Sequence, residues 1–231
     1  MGMHTMVYNA KNELKVAIVG VGGAGCNVVS AFTGRYGMDT IAINTDREAL
    51  HEAHADAKIY ICKGVLHGQG TSGEAELGKK CADIHIEEIK EAVSGYDRVF
   101  VIAGLGGGTG TGAAPVIIDA IQSLNIMTDA IAIKPFGFEG SRVEVASKGY
   151  DKIRAVCPYS IAIKNDSLIG LMSDKTLDEA YAVVNNEIMN YIEARLMDIT
   201  RDNDGVSQTI DNDDGFDSFI RNSPIFAFIN A

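Results

Sequence analysis

Six short, nearly continuous apolar runs recur along the chain, separated by stretches in which apolar residues have helical spacing. The runs span residues 15–21, 40–44, 58–62, 98–105, 129–134 and 159–164. Strands buried on both faces have this pattern, because neither side of such a strand meets water. Helices are predicted between the runs at 25–32, 74–93, 112–124 and 142–156. This alternation predicts a doubly wound α/β fold with a mostly parallel sheet and helices on both faces.

A longer helix is predicted after the last strand. Thr176 and Glu179 have the spacing of a capping box, and apolar residues then repeat at helical intervals as far as Ile199. We therefore expect a long central helix over 176–200, at the C-terminal end of the sheet domain. The following segment, 201–217, is dominated by Asp, Asn and Gly, and a last apolar run at 225–229 is compatible with a strand.

The charge balance excludes some classes of partner. The 231 residues include 20 Lys and Arg against 31 Asp and Glu, which gives a formal net charge of −11. Nucleic acids and anionic membranes bind basic surfaces, so neither is expected as a direct partner. Any phosphate group would have to be held mostly by backbone N–H groups.

The cellular compartment is predicted from the cysteines and the N-terminus. No apolar run is long enough to span a membrane, and the first residues have no signal-peptide core. Cys26, Cys62, Cys81 and Cys157 have no C-x-x-C spacing. They are predicted to be reduced thiols of a cytoplasmic protein, neither disulfide-bonded nor zinc ligands.

Three glycine-rich loops carry the candidate chemistry. The first, 20–27, follows the first predicted strand and opens a helix, where glycines let the backbone approach a phosphate. It fits a dinucleotide-binding fingerprint equally well, because Asp46 lies where a ribose-binding acid is expected.

The second and third loops favour a larger phosphate ligand. Residues 106–112 are all Gly or Thr, and a row of N–H groups with two hydroxyls can wrap a di- or triphosphate without a lysine. The G-K-[ST] ending of a Walker loop is not found there. The third loop, 68–78, precedes another predicted helix. A dinucleotide oxidoreductase needs one such loop, whereas this sequence has three.

Together the motifs resemble those of the tubulin/FtsZ superfamily, on the FtsZ side. The resemblance rests on GVGGAGCN, NTD at 44–46, GQGTSGEAELG, GGGTGTG and PFGFEG at 135–140, in that order, and it extends from about Lys15 to the end of the chain. It implies a GTP-binding domain over 15–175 that assembles head-to-tail into filaments. GTP is then hydrolysed to GDP at the contact between subunits, with Mg²⁺ offsetting the phosphate charge.

The resemblance also assigns roles to individual residues. Those implied to hold the phosphates are Gly22, Gly23, Ala24, Asn27, Asn44, Gly106, Gly107, Gly108, Thr109, Gly110, Thr111 and Gly112, with Gly108 and Thr109 near the γ-phosphate. Thr71, Ser72 and Gly73 would close over that phosphate. Pro135, Glu139 and Arg142 would line the site, with Glu139 at the ribose. The family has its arginine four residues after the glutamate, and here the spacing is three.

The guanine would meet three side chains. Asn165 follows a predicted strand and would hydrogen-bond the base. Tyr181 and Asn185 lie at i and i+4 on the long helix, hence on one face; the resemblance implies that the Tyr181 ring stacks on the base and that Asn185 contacts its edge. Without the resemblance, Tyr181 would be interpreted as a core residue.

The catalytic residues are expected in the acidic segment after the long helix. Asn212, Asp214 and Asp217 match an N-x-D-x-x-D pattern that, in the family, enters the next subunit's site and orients the attacking water. The alternative is a solvated acidic loop.

Family members continue into a second, smaller domain. We expect residues 1–14 to be an N-terminal extension and 201–231 to hold the acidic catalytic-type loop and the first strand of that second domain, the rest of which is missing from this sequence. The missing domain and the acidic loop leave open a non-hydrolysing nucleotide-binding regulator that modulates the filaments of a full-length homologue. The first glycine-rich loop and Asp46 leave open an NAD-type oxidoreductase.

Overall fold

The computed structural model describes residues 14–64, 68, 70–169 and 176–203. Its centre is one six-stranded sheet in the order β3-β2-β1-β4-β5-β6, in which every described pairing is parallel. The strands are β1 Val16–Val21, β2 Asp39–Asn44, β3 Ala57–Tyr60, β4 Arg98–Gly104, β5 Met127–Lys134 and β6 Ser160–Lys164. The predicted parallel α/β sheet is confirmed, and each strand lies within two residues of its predicted bounds.

Helices follow the strands in alternation. They are α1 Gly22–Phe32, α2 Arg47–Glu52, α3 Ala75–Ile84, α4 Ile86–Val93, α5 Gly108–Gln122, α6 Ser141–Val156, α7 Asp166–Ile169 and α8 Leu177–Asn203. A short 3-10 turn covers Gly137–Glu139. Helix α8, with 27 residues, is the predicted long helix and begins one residue after Thr176. The capping box is present, since Thr176 N donates to Glu179 Oε2 at 2.7 Å and Glu179 N donates to Thr176 Oγ1 at 3.3 Å.

The sheet separates two cores. Helices α3, α4, α5 and α6 cover one face, while α1, α7 and α8 cover the other. Side chains alternate along β1 accordingly: Ala17, Val19 and Val21 face the first core, and Val16 and Ile18 face the second. This two-sided burial is why the strands read as continuous apolar runs.

The helix predicted over 74–93 is wrong as a single element, because it divides into α3 and α4 at His85. His85 lies between the two helices, outside the α-helical region, and its Nδ1 is 2.8 Å from Glu88 Oε2. The backbone of His85 ends one helix and begins the next: its N–H donates to Cys81 O and Ala82 O at the end of α3, and its carbonyl accepts from Ile89 N at 3.0 Å in α4.

A buried ion cluster fixes α8 to the sheet. Asp129 is 1% exposed; its Oδ2 accepts from Arg98 Nε at 2.8 Å and its Oδ1 accepts from Arg195 Nε at 2.9 Å. Arg98 opens β4 and Asp129 lies early in β5. The cluster is therefore at the amino ends of the strands, on the sheet edge opposite the glycine-rich turns.

The prediction of four reduced thiols is wrong for two of them, since Cys62 and Cys81 form a disulfide. Cys62 follows β3 and Cys81 lies on α3, and their Cα atoms are 5.1 Å apart, within the range that a disulfide spans. Spacing along the sequence carries no information about this approach. Cys26 and Cys157 are free and buried.

In the part of the chain that the structure describes, no helix combines the length and the apolar character needed to cross a membrane.

The disulfide predicts a specific thiol count. In denaturant without reductant, only Cys26 and Cys157 should react with a thiol reagent, and all four cysteines should react after reduction. Because the bond closes a loop with a sequence separation of 19 residues, reduction should lower the free energy of unfolding by about 3 kcal/mol. A count of four before reduction would contradict the pairing. A Cys62→Ser and Cys81→Ser double variant should show the lower stability in both conditions.

Candidate nucleotide-binding site

The glycine-rich turns lie where the strand order reverses. β1 and β4 are neighbours, and the chain leaves β1 towards β2 on one side and β4 towards β5 on the other. In open α/β sheets the crevice at the carboxyl ends of two such strands is the usual ligand site. Helices α1 and α5 begin there, one after each strand.

The first turn makes α1 begin at Gly22, three residues earlier than predicted. Gly22 has φ +72°, and a Cβ on it would lie 2.9 Å from Gly110 N. Only glycine fits there. The first-turn amides of Gly22, Gly23 and Ala24 have no intrahelical acceptor and remain available as donors. Gly23, Ala24 and Asn27 are exposed at the turn.

The second turn differs from the predicted seven-residue nest, because α5 begins at Gly108 and not at Gly112. Thr111 and Gly112 are helical and buried, and the Gly106 N–H donates to Thr111 Oγ1 at 2.9 Å. The free donors are therefore the amides of residues 107–110, at the positive end of the helix dipole.

Tertiary packing explains why this glycine run is helical. A Cβ on Gly112 would overlap the carbonyl of Ala75 in α3, and a Cβ on Gly108 would overlap Thr71 Oγ1 and the backbone of Glu74. The glycines let α5 approach α3 backbone to backbone. This packing overrides the low helix propensity of glycine, which is about 1 kcal/mol per residue.

The third turn lies against the second. Thr71 is buried, and its Oγ1 is 3.3 Å from Thr109 Oγ1. Ser72 and Gly73 are exposed and have φ of +49° and +88°. The structure therefore brings the three predicted turns together, through Gly22 against Gly110 and Thr71 against Thr109.

Asn44 lies at the end of β2, and the two polar atoms of its side-chain amide differ in their partners among the described residues. Its Oδ1 accepts from Thr45 N at 2.9 Å and from Asp46 N at 3.2 Å. Its Nδ2 is buried and has no hydrogen-bond partner among the described residues. An unpaired buried donor is costly, so a ligand acceptor at this atom would be favoured.

Asp46, which kept the dinucleotide alternative open, has a structural role. Its side chain accepts from Ala49 N at 2.9 Å and caps α2.

The segment after β5 reaches the second turn. Pro135 is buried, and its Cγ would lie 3.2 Å from a Cβ on Gly106. Glu139 accepts from Phe136 N at 2.8 Å and from Arg142 Nη1, and Arg142 Nε donates to Gly106 O at 3.3 Å. The three-residue spacing of Glu139 and Arg142 thus yields an ion pair that lies against the glycine turn, which the sequence did not predict.

The residues predicted to contact the base take no part in the described contacts that join the glycine-rich turns. Asn165 follows β6, and Gly137 N donates to Asp166 Oδ1 at 2.8 Å, which joins this end of β6 to the 135–139 segment. Tyr181 is 40% exposed, so its interpretation as a core residue is wrong. Asn185 is half-buried. The contacts that join the turns do not include Tyr181 or Asn185, and their role at the base stays a prediction. Asn212, Asp214 and Asp217 lie outside the described residues.

Two residues at the site were not predicted. Thr45 is fully buried and its Oγ1 is 2.6 Å from Thr109 Oγ1; the signal was a hydroxyl directly after a buried strand. Cys26 lies in the first turn, where burial raises the pKa of its thiol to about 12. The neutral thiol donates to Ile43 O at 3.6 Å and is a packing group, not a nucleophile.

Comparison with known proteins agrees with this geometry. Residues 15–173 match the model of the Tubulin/FtsZ family, GTPase domain. Cell division protein FtsZ of Methanothermobacter thermautotrophicus is 40% identical over 175 residues, which are 74% of this chain and 46% of the relative.

Two solved structures are similar over most of the described fold. The structure "FtsZ dimer, empty" of M. jannaschii has a TM-score of 0.72 at 35% identity, covering 78% of this chain and 54% of that one. The GDP-bound monomer of CetZ1 from Haloferax volcanii has a TM-score of 0.66 at 26% identity, covering 76% and 58%.

Fold and site together define a parallel α/β domain in which three glycine-rich backbone turns meet at the switch point of the sheet. The chain belongs to the tubulin/FtsZ family, and the region that matches is the family's GTPase domain. It spans about half the length of the curated relatives it matches.

Among the described residues, no three His, Cys, Asp or Glu side chains are grouped as metal ligands.

The close approach at Gly108 yields a mutational prediction. Gly108→Ala should lower the free energy of unfolding by about 1–3 kcal/mol, because the new Cβ overlaps Thr71 and Glu74. It should also weaken guanine-nucleotide binding at least tenfold by displacing the third turn. Gly64→Ala is the control, since a Cβ there meets nothing within 4 Å. Denaturation measures the change in stability, and nucleotide titration measures the change in affinity. Unchanged affinity in Gly108→Ala would show that the third turn does not contribute to nucleotide binding.

Proposed function

We propose that this chain binds GTP and hydrolyses it to GDP and phosphate as part of a head-to-tail assembly. The observation that carries the proposal is the convergence of three amide-bearing turns, in which Gly22 lies against Gly110 and Thr71 against Thr109. No one turn would distinguish a triphosphate from a smaller anion. Three turns at one switch point offer donors to several phosphate groups at once.

The residues present fit such a ligand. The buried Asn44 Nδ2 has no acceptor among the residues that the structure describes, and the first-turn amides of α1 and α5 have no intrahelical acceptor. These donors are neutral, which is how a chain of net charge −11 can hold a polyanion. Mg²⁺, bound through the phosphate oxygens, would neutralise charge that develops during hydrolysis.

We infer that hydrolysis is completed by a second copy of the chain. The support is the match of Asn212, Asp214 and Asp217 to the family's N-x-D-x-x-D pattern, and a similar structure titled as an FtsZ dimer. The carboxylates would orient the attacking water at the neighbouring subunit's γ-phosphate. The relatives are named as cell division proteins, which favours a role in cell division for this chain. A cytoskeletal role and a cytoplasmic location stay part of the proposal, and the Cys62–Cys81 disulfide does not support that location.

The first test is the dependence of activity on protein concentration. If the site is completed in trans, GTP turnover per molecule should rise with concentration, and pelleting of assemblies should rise in parallel. A flat activity over a broad range would contradict catalysis between subunits. Titration with GTP, ATP and NAD in the same buffer provides the specificity control, with GTP expected to bind most tightly.

The second test concerns the acidic segment. Asp214→Ala combined with Asp217→Ala should keep GTP binding and abolish turnover, because the carboxylates act only on the attacking water. Asp211→Ala combined with Asp213→Ala removes the same charge from the same segment and should retain turnover. Equal activity in both double variants would refute the assignment. GTP binding without turnover in the unmodified chain would instead favour a non-hydrolysing regulator of a longer homologue's filaments.

A further inference from the structure

Three buried threonine hydroxyls form a chain beneath the candidate phosphate site. Thr109 Oγ1, on the first turn of α5, is 2.6 Å from Thr45 Oγ1 and 3.3 Å from Thr71 Oγ1. Thr45 is 0% exposed, Thr71 4% and Thr109 8%. The three residues come from the end of β2, the third turn and the second turn, so the hydroxyls link three separate segments of the site.

The contact between Thr71 and Thr109 depends on a glycine. A Cβ at Gly108 would overlap Thr71 Oγ1, so only glycine at this position lets the Thr71 hydroxyl come so close to α5. The arrangement is a specific feature of the turns and not a chance contact of surface side chains.

Each of the three hydroxyls has one proton, which restricts the directions that the hydrogen bonds between them can take. Each threonine hydroxyl donates one hydrogen bond and accepts up to two. A phosphate oxygen bound near Thr109 would only accept, so the Thr109 proton would have to point to it. Both neighbouring contacts then persist only if Thr45 and Thr71 donate to Thr109. In that state the lone pairs of Thr109 are filled, and its O–H is polarised towards the ligand.

We propose that Thr45 is a positioning residue that fixes Thr109 as a hydrogen-bond donor to the terminal phosphate of the nucleotide. This inference rests on the proposed function. Thr45 does not reach the ligand itself in this scheme; it acts through Thr109. The hydroxyl chain therefore contributes to the preference for a nucleoside triphosphate over the diphosphate, whose shorter phosphate chain leaves Thr109 without its acceptor.

The neighbouring groups support this orientation. The backbone N–H of Thr45 donates to Asn44 Oδ1, which holds Asn44 so that its Nδ2 remains an unpaired buried donor. Thr45 thus positions one site residue through its backbone and another through its side chain. Both interactions leave donors, not acceptors, for the ligand.

The test replaces the Thr45 hydroxyl by a methyl group of similar size. Thr45→Val should weaken binding of slowly hydrolysed GTPγS about three- to tenfold, the effect of one hydrogen bond, and leave GDP binding nearly unchanged. Thr45→Ser should restore the ratio of the two affinities. Titration calorimetry with Mg²⁺ present measures both dissociation constants on the whole chain. An unaltered ratio in Thr45→Val would overturn the inference.

Thr40→Val is the matched control. Thr40 lies in β2, is also 0% exposed, and its hydroxyl bonds Asp56 Oδ2 at 2.7 Å near the opposite end of that strand. It should lower stability and leave the GTPγS to GDP ratio unchanged, which distinguishes positioning from general destabilisation. A shift of that ratio in Thr40→Val equal to the shift in Thr45→Val would overturn the inference.

Two further outcomes are decisive. If Thr45→Val does not fold, Thr45→Ala compared with Thr45→Ser isolates the hydroxyl, and equal ratios in that pair would overturn the inference. If the unmodified chain binds neither GTPγS nor GDP, the proposed function fails and the inference fails with it. Binding of both nucleotides with no effect at Thr45 leaves the proposed function intact and refutes only the positioning role.

Discussion

Direct backbone contact between neighbouring elements is the constraint on which the site depends. At Gly22, Gly108 and Gly112, a Cβ would lie within overlap distance of the backbone of another turn or helix. Helix α5 therefore approaches α3 and the first turn more closely than side chains would allow. Because rigid elements hold the amide donors, their positions are set before a ligand arrives, and less binding energy is lost in ordering them.

At the opposite end of the strands, ion pairs hold helix α8 to the sheet. Asp129 lies between Arg98 and Arg195, and removing such a buried partner leaves uncompensated charge, which costs several kcal/mol. Arg195 is 14 residues after Tyr181 on α8, or about 21 Å along a helix. The same helix that carries the candidate base contacts is thus anchored far from them. If α8 moved at the site, the helix would have to pivot about the contact between Arg195 and Asp129 or break that contact.

Much of the fold could be predicted because strands buried on both faces appear in the sequence as short, continuous apolar runs. The start of α5 and the Cys62–Cys81 pair could not, since each depends on contacts between residues distant in sequence. Glycine-rich sequence predicted a loop over 108–112, and packing against α3 made it helical. At the site, the motifs identified the turns, whereas the Thr45 contact with Thr109 needed the structure, because sequence does not reveal which hydroxyls meet.

The proposed site would let an acidic protein bind an anionic ligand through interactions that act at short range. A net charge of −11 repels a nucleotide at a distance, and salt screens this repulsion beyond about 8–10 Å. Within the crevice the candidate donors are the N–H groups of α1 and α5, the buried Asn44 Nδ2, which has no partner among the described residues, and the buried Thr109 hydroxyl. A lysine would bind any phosphate as a point charge. Fixed neutral donors instead require each oxygen to lie where a proton points, so the proposed selectivity for the length of the phosphate chain would follow from geometry and not from charge.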